Sequence, residues 1–244
     1  PEALAVIEDK AHQKQAPHYV YRQSYQVQSL GGTDSGEHLS FSNAYREAEP
    51  YLTPLLGQHQ VDNAGLAIEL CDLYCQLKQL PLLTKEQVGV ALVATSWPGR
   101  MEQISHQPRI LLDGAHNPHA MERLMRTLSQ HYPDLDKKIL FSCIQTKSLE
   151  EMVGQLKQVP KSQLILTNFA DPRSFSKEKM EALACEQSLY YADWHGFLEA
   201  YLKAEHGTDE LLLITGSLYF LAQVRAYIID KEKESRSEYG HEEN

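Results

Sequence analysis

The amino-acid sequence predicts an α/β fold whose second part holds a mostly parallel sheet. Apolar runs of strand type occur at 110–112, 139–141, 164–166 and 211–214. Stretches with helical spacing of apolar residues occur at 118–131, 148–158, 176–187, 195–203 and 217–229. Strands that alternate with helices are typical of βαβ units, which place parallel strands in one sheet. A chain of 244 residues, 42% of them hydrophobic, suffices for one large or two smaller domains.

The first part of the chain has another pattern. Residues 1–15 are helical in character, and alternation around Tyr21 to Val27 predicts a strand. Segments 38–42 and 51–56 are further candidate strands, and 31–36 has the composition of a loop. A long helix is expected from Gln58 to about Leu77. Its predicted core stripe consists of Leu66, Leu70, Leu73 and Leu77.

These patterns predict a domain boundary between Leu80 and Lys85, with Thr84 as the N-cap of the next helix. The expected domains are therefore 1–82 and 83–230. Residues 231–244 are charged and almost free of apolar side chains, so we expect a frayed tail.

Composition excludes several classes of protein. A net charge of −10 argues against nucleic acid or an anionic membrane as partner. No apolar run is long enough to span a bilayer and no signal-peptide pattern occurs, so we expect a cytoplasmic protein. The cysteines form no CxxC pair and are expected to be buried free thiols rather than metal ligands. They are Cys71, Cys75, Cys143 and Cys185.

Segment 109–120 (RILLDGAHNPHA) carries the strongest functional signal. A strand ends at Asp113, Gly114 allows a tight turn, and Asn117 followed by Pro118 is typical of a helix start. Asp113 and His116 thus lie where a strand leads into a helix N-terminus, and ligands of open α/β sheets bind at the carboxyl ends of strands. The alternative is an ordinary turn whose polar side chains satisfy only the backbone.

Three further places display polar side chains next to turns. Arg100 follows Trp-Pro-Gly, and guanidinium groups suit phosphate or carboxylate recognition. Ser217 follows a strand and Gly216, where its hydroxyl could contact a ligand or cap the next helix. Arg173 also lies after a strand, as a weaker signal. Each arginine could instead be an ordinary surface residue.

Gln60 and Asn63 lie one turn apart at the start of the long helix. Their amides could contact a purine edge or cap the helix. The sequence contains no G-x-x-x-x-G-K-[ST] phosphate loop, no G-x-G-x-x-G, no HExxH and no G-x-S-x-G. Nothing in it is suited to hold a triphosphate with Mg²⁺ unaided.

Together the motifs resemble the folylpolyglutamate synthase/dihydrofolate synthase family of the Mur ligase superfamily. The matching segments are GQHQVDNA at 57–64, WPGRME at 97–102, LLDGAHNP at 111–118 and TGSLYFLAQVR at 215–225. The resemblance implies a Rossmann-like C-terminal Mur ligase domain, preceded by the end of a central ATPase domain. It also implies ATP-dependent amide formation, in which a folate carboxylate becomes an acyl phosphate and the amine of glutamate attacks it.

The resemblance also implies roles for single residues. Gln60 and Asn63 would contact adenine, Arg100 the ATP phosphates, and Asp113 the ribose. His116 would contact the nucleotide or the incoming glutamate, and Ser217 the amino acid. The implied partners are ATP, L-glutamate and a folate or dihydropteroate, and we expect a monomer. None of these residues is assigned as catalytic.

Two departures from the family pattern stand out. The chain begins at Pro1, and the family's phosphate loop, Mg²⁺ ligands and carbamylated lysine would precede it, so we expect a part of a longer ligase that is inactive alone. The family's Lys-Asp-Lys-Asp-like stretch is replaced by Gln145-Thr146-Lys147-Ser148. Two alternatives stay open: a Mur-type ligase for another acceptor, such as a peptidoglycan precursor, and a non-catalytic nucleotide-binding module.

Overall fold

The computed structural model describes residues 2–33, 35–146, 148–184 and 188–239. It divides the chain into two compact units, Pro1–Thr95 and Ser96–Asn244. The first unit contains the helix α1 (Glu2–Lys14) and three antiparallel strands in the order β1 (Tyr25–Thr33), β2 (Gly36–Asn43) and β3 (Glu49–Thr53). Two helices follow, α2 (Gln58–Leu77) and α3 (Lys85–Val93). The segment expected as a loop at 31–36 instead extends two strands, because pairing continues to Thr33 and Gly36.

The predicted core stripe of α2 is wrong. Leu66, Leu70 and Leu77 are 44%, 57% and 78% exposed, and the opposite face of α2 is buried. Gly65 explains the choice of face, since a Cβ at this position would lie 2.0 Å from Cγ2 of Val27 on β1. With any larger residue at position 65, this face of α2 could not lie so close to β1. The buried face includes Val61, Ala64, Ile68, Asp72 and Cys75.

The boundary between the units lies after α3 rather than before it. Val88 of α3 is buried in the same apolar cluster as Phe41 and Val61. Arg46 also donates a hydrogen bond from Nη2 to the carbonyl of Leu83 at 2.8 Å, which ties the connecting segment to the first unit. Thr84 is the N-cap of α3 as predicted, and it forms a capping box in which the Thr84 and Gln87 side chains each bond the other's backbone N–H.

The second unit is a six-stranded sheet covered by helices. Its elements are β4 (Glu102–His106), β5 (Arg109–Asp113), α4 (Pro118–His131), β6 (Asp136–Ser142), α5 (Leu149–Leu156), β7 (Ser162–Leu166), α6 (Lys177–Ala182), β8 (Ser188–Tyr190), α7 (Trp194–Lys203), β9 (Glu210–Gly216) and α8 (Leu218–Tyr239). The strand order is β4-β5-β9-β6-β7-β8, and every neighbouring pair is parallel except β4 with β5. The predicted α/β class with a mostly parallel sheet is confirmed.

The position of β9 creates a switch point in the sheet. This last strand in sequence lies between β5 and β6. Side chains of α7 and α8 pack in one apolar cluster with alternate residues of β5 and β9, whereas α4 and α5 pack against each other outside that cluster. The chain therefore leaves β5 and β9 toward opposite faces of the sheet. Such a switch point is where open α/β sheets bind ligands, at the carboxyl ends of the strands.

Other expectations about the second unit need correction. The helix expected at 176–187 is shorter: α6 ends at Ala182, with Leu183 as its C-cap. The tail expected to fray continues α8 as far as Tyr239, since Lys and Glu are good helix formers. Cys185 and residues 240–244 lie outside the described residues. Among the described helices, none combines the length and the apolar character needed to cross a membrane.

Candidate functional site

Asp113 ends β5 and is almost completely buried, at 9% exposure. Its Oδ2 accepts a hydrogen bond from the Met101 backbone N–H at 3.0 Å, and its Oδ1 accepts one from the Ala115 N–H at 2.9 Å. Burial raises the pKa of this carboxyl group, while the two backbone bonds and the nearby Arg100 and His116 oppose the rise. Asp113 thus joins the turn before β4 to the turn after β5.

A second pair of contacts completes this junction. The Gly114 N–H donates to the Gly99 carbonyl at 2.8 Å. A Cβ at Gly114 would lie 2.4 Å from Cδ2 of Leu218 and 3.3 Å from Nη1 of Arg100. The absence of a side chain at position 114 therefore lets the Arg100 guanidinium lie directly against the turn. Within the described part of the chain, this guanidinium forms no hydrogen bond or ion pair, so its donors are available to a ligand.

The next residues form the predicted start of α4. Asn117 is the N-cap and accepts a hydrogen bond from the Ala120 N–H at 2.9 Å, and Pro118 occupies the first helical position. Nδ1 of His116 lies 2.8 Å from the Gly114 carbonyl oxygen. A carbonyl can only accept, so Nδ1 carries the proton and a neutral His116 keeps Nε2 as an acceptor. His116 is exposed, so Nε2 can meet a donor from outside the chain.

Ser217 lies beside this junction at the end of the neighbouring strand. Gly216 has φ of +121°, and a Cβ there would lie 2.0 Å from the Ser142 carbonyl oxygen, so this turn requires glycine. Ser217 is buried, and its Oγ accepts a hydrogen bond from the Tyr219 N–H at 3.2 Å. Its capping role is therefore present, and a ligand contact would be additional. Thr215, paired with Asp113 across the two strands, has a buried hydroxyl without a hydrogen-bond partner in the described structure.

Gln60 and Asn63 lie in the first unit, at the start of α2. Nδ2 of Asn63 donates to Oε1 of Gln60 at 3.0 Å, so the two amides form a pair. Gln60 is buried and Asn63 is exposed. Glu37 holds the preceding turn, since its Oε1 accepts a hydrogen bond from the Gly57 N–H at 2.7 Å. The pair leaves the outer amide of Asn63 at the surface of this unit.

Sequence reasoning did not select Glu102, which the structure places against the turn of Arg100. Oε2 of Glu102 accepts a hydrogen bond from the Gly99 N–H at 2.8 Å, and Oε1 accepts one from Nε of Arg225 at 2.9 Å. Glu102 therefore anchors the turn that contains Arg100 to helix α8. Its position two residues after Arg100 could have indicated a role in this turn. The sequence does not show which groups a carboxylate in a turn will bond, because its partners can come from distant parts of the chain. Arg173 lies in the loop after β7 and contacts Tyr219.

The cysteines and acidic groups offer no metal centre in the described residues, where no group of three or more His, Cys, Asp or Glu side chains is arranged to hold an ion. Cys75 and Cys143 are buried free thiols as expected, and burial raises the pKa of Cys143 to about 12. Cys71 is exposed, contrary to expectation, because Asp72 occupies the buried face in that turn of α2.

Comparison with known proteins identifies the class. Residues 99–218 match the family described as Mur ligase, glutamate ligase domain, so the second unit contains a Mur ligase C-terminal domain. The dihydrofolate synthase/folylpolyglutamate synthase of Bacillus subtilis (strain 168) is 29% identical over 226 residues, which are 92% of this chain and 52% of that protein.

Solved structures have the same fold. Folylpolyglutamate synthase from Thermotoga maritima matches with a TM-score of 0.77 and 23% identity, over 93% of this chain and 51% of that one. Mycobacterium tuberculosis folylpolyglutamate synthase, complexed with ADP and AMPPCP, matches with a TM-score of 0.75 and 20% identity, over 93% and 52%. The comparisons support the folylpolyglutamate synthase/dihydrofolate synthase family of the Mur ligases for this chain. The chain spans about half the length of these relatives.

Proposed function

We propose that this chain supplies nucleotide- and amino-acid-recognising groups of an ATP-dependent ligase that adds glutamate to a folate or dihydropteroate. In this reaction the substrate carboxylate attacks the γ-phosphorus of ATP, which releases ADP and forms an acyl phosphate. The amine of glutamate then attacks the acyl carbon, phosphate leaves, and the nitrogen loses a proton. Phosphorylation is required because a carboxylate is a poor electrophile.

The observation that carries the proposal is the junction held by Asp113. Its two backbone hydrogen bonds bring the turn of Arg100 against the start of α4, at the switch point of the sheet. The Arg100 guanidinium lies against the Gly114 turn and bonds no described residue, so its donors suit the phosphates of ATP.

The roles of the other residues follow from their contacts. Asp113 acts mainly as a positioning residue, because its carboxylate is buried and already accepts two bonds, so a ribose contact would use its remaining lone pairs. His116 offers Nε2 to the nucleotide or to the ammonium of glutamate. Ser217 can donate its hydroxyl proton to the amino acid while it caps α8. Asn63, steadied by Gln60, offers an amide to adenine.

Mg²⁺ belongs to the proposed reaction because it accompanies ATP. The described residues include no cluster that fits the ion, so none of the steps above is assigned to a metal ligand of this chain. We also propose a cytoplasmic location and a monomeric state.

The test assays ATP- and glutamate-dependent extension of a folate by this chain alone and by the complete product of the gene that carries it. We expect extension by the complete product and none by the isolated chain. Turnover by the isolated chain would refute the expectation that it is inactive alone, and absence of turnover with every folate tested would refute the assigned reaction.

The same assay separates the two alternatives. A Mur-type ligase for another acceptor would hydrolyse ATP and use glutamate or another amino acid only with that acceptor, such as a peptidoglycan precursor. A non-catalytic module would bind ATP, and substitution of Arg100, Asp113 or His116 in the complete product would leave ligase activity unchanged.

A further inference from the structure

A cavity lies at the amino ends of three neighbouring strands of the second unit, β9, β6 and β7. It is therefore on the edge of the sheet opposite to the junction held by Asp113, which ends its strand. The cavity has a volume of about 360 Å³, within the range of small-molecule sites, which is roughly 300–1,000 Å³. Its lining combines the first residues of the three strands with Tyr201 of α7.

Three lysines line this cavity, Lys137, Lys138 and Lys161. Successive residues of a strand point to opposite faces of the sheet, so Lys137 and Lys138 reach the cavity from opposite faces. Lys161 precedes β7, and its backbone carbonyl accepts a hydrogen bond from the Lys137 N–H at 2.8 Å. The edge of the sheet thus brings together ammonium groups from two segments and from both faces.

Most N–H donors of these lysines have no acceptor among the described residues. An ammonium group has three donors. Nζ of Lys137 and Nζ of Lys161 each donate one hydrogen bond to a nearby backbone carbonyl, at 2.7 Å and 3.1 Å. Nζ of Lys138 forms no hydrogen bond in the part of the chain that the structure describes. Donors are therefore left for a ligand in the cavity.

The lining of the cavity is positively charged, although the whole chain carries a net charge of −10. The three lysines are accompanied by two carboxylates, those of Asp136 and Glu210. Nδ1 of His206 lies 2.9 Å from Oε2 of Glu210, so this carboxylate already has a partner other than the lysines. The excess of positive charge favours an anionic ligand.

The buried lysine shows that the ammonium groups repel one another. Lys137 is 4% exposed. Burial lowers its pKa, the nearby Lys161 lowers it further, and Asp134 and Asp136 oppose the shift. An anion placed among the ammonium groups would offset both the burial and the repulsion, so the arrangement is more stable with an anion than without one.

We propose that this cavity binds a phosphate monoester with a small hydroxylated body, of the size of a sugar phosphate. A tetrahedral phosphate group presents acceptors in several directions, which suits separate ammonium groups, whereas a planar carboxylate is matched by the fork of a guanidinium. The side chains of Ser162 and Gln163 can bond hydroxyl groups of the body, and the ring of Tyr201 offers an apolar wall. The site does not depend on the proposed ligase function.

The experiment measures binding to the complete gene product by isothermal titration calorimetry, with ADP present in excess to occupy the proposed nucleotide site. The probes are glucose 6-phosphate, glycerol 3-phosphate, inorganic phosphate and glucose. We expect saturable binding of at least one monoester, binding of inorganic phosphate that is about tenfold weaker or more, and no binding of glucose. No saturable binding of either monoester at about 10 mM, or equal affinity for inorganic phosphate, would overturn the proposal.

Substitutions locate the site. Lys161 is exposed, so Lys161→Gln should fold normally and weaken monoester binding about 10- to 100-fold, as for loss of a charge-assisted hydrogen bond. Lys157→Gln is the matched control, because Nζ of Lys157 also donates to a backbone carbonyl, at 3.1 Å, and lies outside the lining. Lys137→Met keeps an apolar stem and should weaken binding similarly, and circular dichroism checks its folding. If this variant fails to fold, Lys161→Gln decides.

Arg100→Gln distinguishes this site from the nucleotide junction. We expect this variant to bind the monoester as the wild type does. Loss of monoester binding in Arg100→Gln, or normal binding in Lys161→Gln, would contradict the proposal. If ADP does not bind at all, the proposed function loses its support, and the comparison of Lys161→Gln with Lys157→Gln still tests the cavity.

Discussion

The first unit contains an arginine whose donors are used, and the second contains two whose donors are left open. Nε and Nη2 of Arg46 each lie 2.7 Å from an oxygen of Asp72, and Nη2 and Nη1 bond Leu83 and Glu49 as well. The side chain is 5% exposed. Arg100 makes no comparable bond within the described residues, and Arg173 uses one edge only.

The difference separates an arginine whose donors are used within the fold from arginines whose donors are available to a ligand. Around Arg46, Nδ2 of Asn43 donates to both Glu69 and Asp72, and Tyr51 bonds Glu49, so the polar groups satisfy one another. Burial raises the pKa of Glu69 and that of Tyr51. All the N–H groups of Arg46 have acceptors in this closed cluster. Arg100, in contrast, bonds no described residue, and Arg173 pairs with Asp171 through one edge.

The largest expected effect on stability concerns the closed cluster. We expect Asp72→Ala to lower the free energy of unfolding of the first unit by about 3–5 kcal/mol, because it leaves Arg46 buried without its main partner. Both tryptophans, Trp97 and Trp194, lie in the second unit, so tryptophan fluorescence monitors that unit and far-ultraviolet circular dichroism the whole chain. Glu122→Ala, which breaks an exposed pair, should cost less than about 0.5 kcal/mol. Similar losses in both variants would contradict the comparison.

The next largest expected loss of stability concerns the junction at the strand ends, which Asp113 holds. We expect Asp113→Asn to cost about 1–3 kcal/mol, because an amide nitrogen would face a backbone N–H that now donates to a carboxylate. The folded state raises the pKa of Asp113, so the pH-dependent part of this group's contribution to stability is complete below the ordinary carboxyl pKa and is lost as pH rises through the raised value. Urea unfolding of both proteins across this range checks the sign. An advantage that grows with pH would show that the carboxylate form is the one the fold favours.

A smaller effect is expected at Gly114. The new methyl group of Gly114→Ala would meet Leu218 and Arg100, so we expect a loss of about 1–2 kcal/mol and a rise in KM for ATP in the complete gene product. Gly154→Ala in α5, where a Cβ meets nothing within 4 Å, should instead stabilise by about 0.5–1 kcal/mol. Thermal unfolding and ATP kinetics together test this contrast, which fails if Gly114→Ala leaves KM for ATP unchanged.

The smallest effect on stability belongs to Arg100. Since its guanidinium bonds to no described residue, Arg100→Gln should change the free energy of unfolding by less than about 0.5 kcal/mol. In the complete gene product the same substitution should weaken ATP binding about 10- to 100-fold. A large loss of stability with normal ATP binding would reassign Arg100 to the structural group that includes Arg46.

Local signals explain what could be predicted from the sequence. The strand, glycine turn, Asn117 cap and Pro118 of segment 109–120 act over a few residues, so the start of α4 forms as predicted. The cap provided by Ser217 and the capping box at Thr84 and Gln87 are local in the same sense. Arg100 and Asp113 could also be selected in advance, because both follow turn or strand-end patterns.

Long-range contacts explain what could not be predicted. Arg46 and Asp72 lie in different elements, and no periodicity connects them. The two apolar faces of α2 look alike in sequence, and the contact of Gly65 with Val27 selects the buried one. Strand β4 pairs with β5 through backbone hydrogen bonds, and its mostly polar side chains gave no pattern that predicts a strand.

The sequence by itself determined the alternation of strands and helices in the second unit and the capped turns at its strand ends, because these depend on neighbours within a few residues. Only the tertiary structure decided which donors stay free. Both carboxylate oxygens of Asp113 accept backbone N–H groups, and the donors of Arg46 bond within a buried cluster. Among the described residues, Arg100 has no hydrogen-bond acceptor and Arg173 pairs with Asp171 through one edge of its guanidinium. Whether a polar group serves the fold or a ligand depends on the partners that folding brings within hydrogen-bond distance.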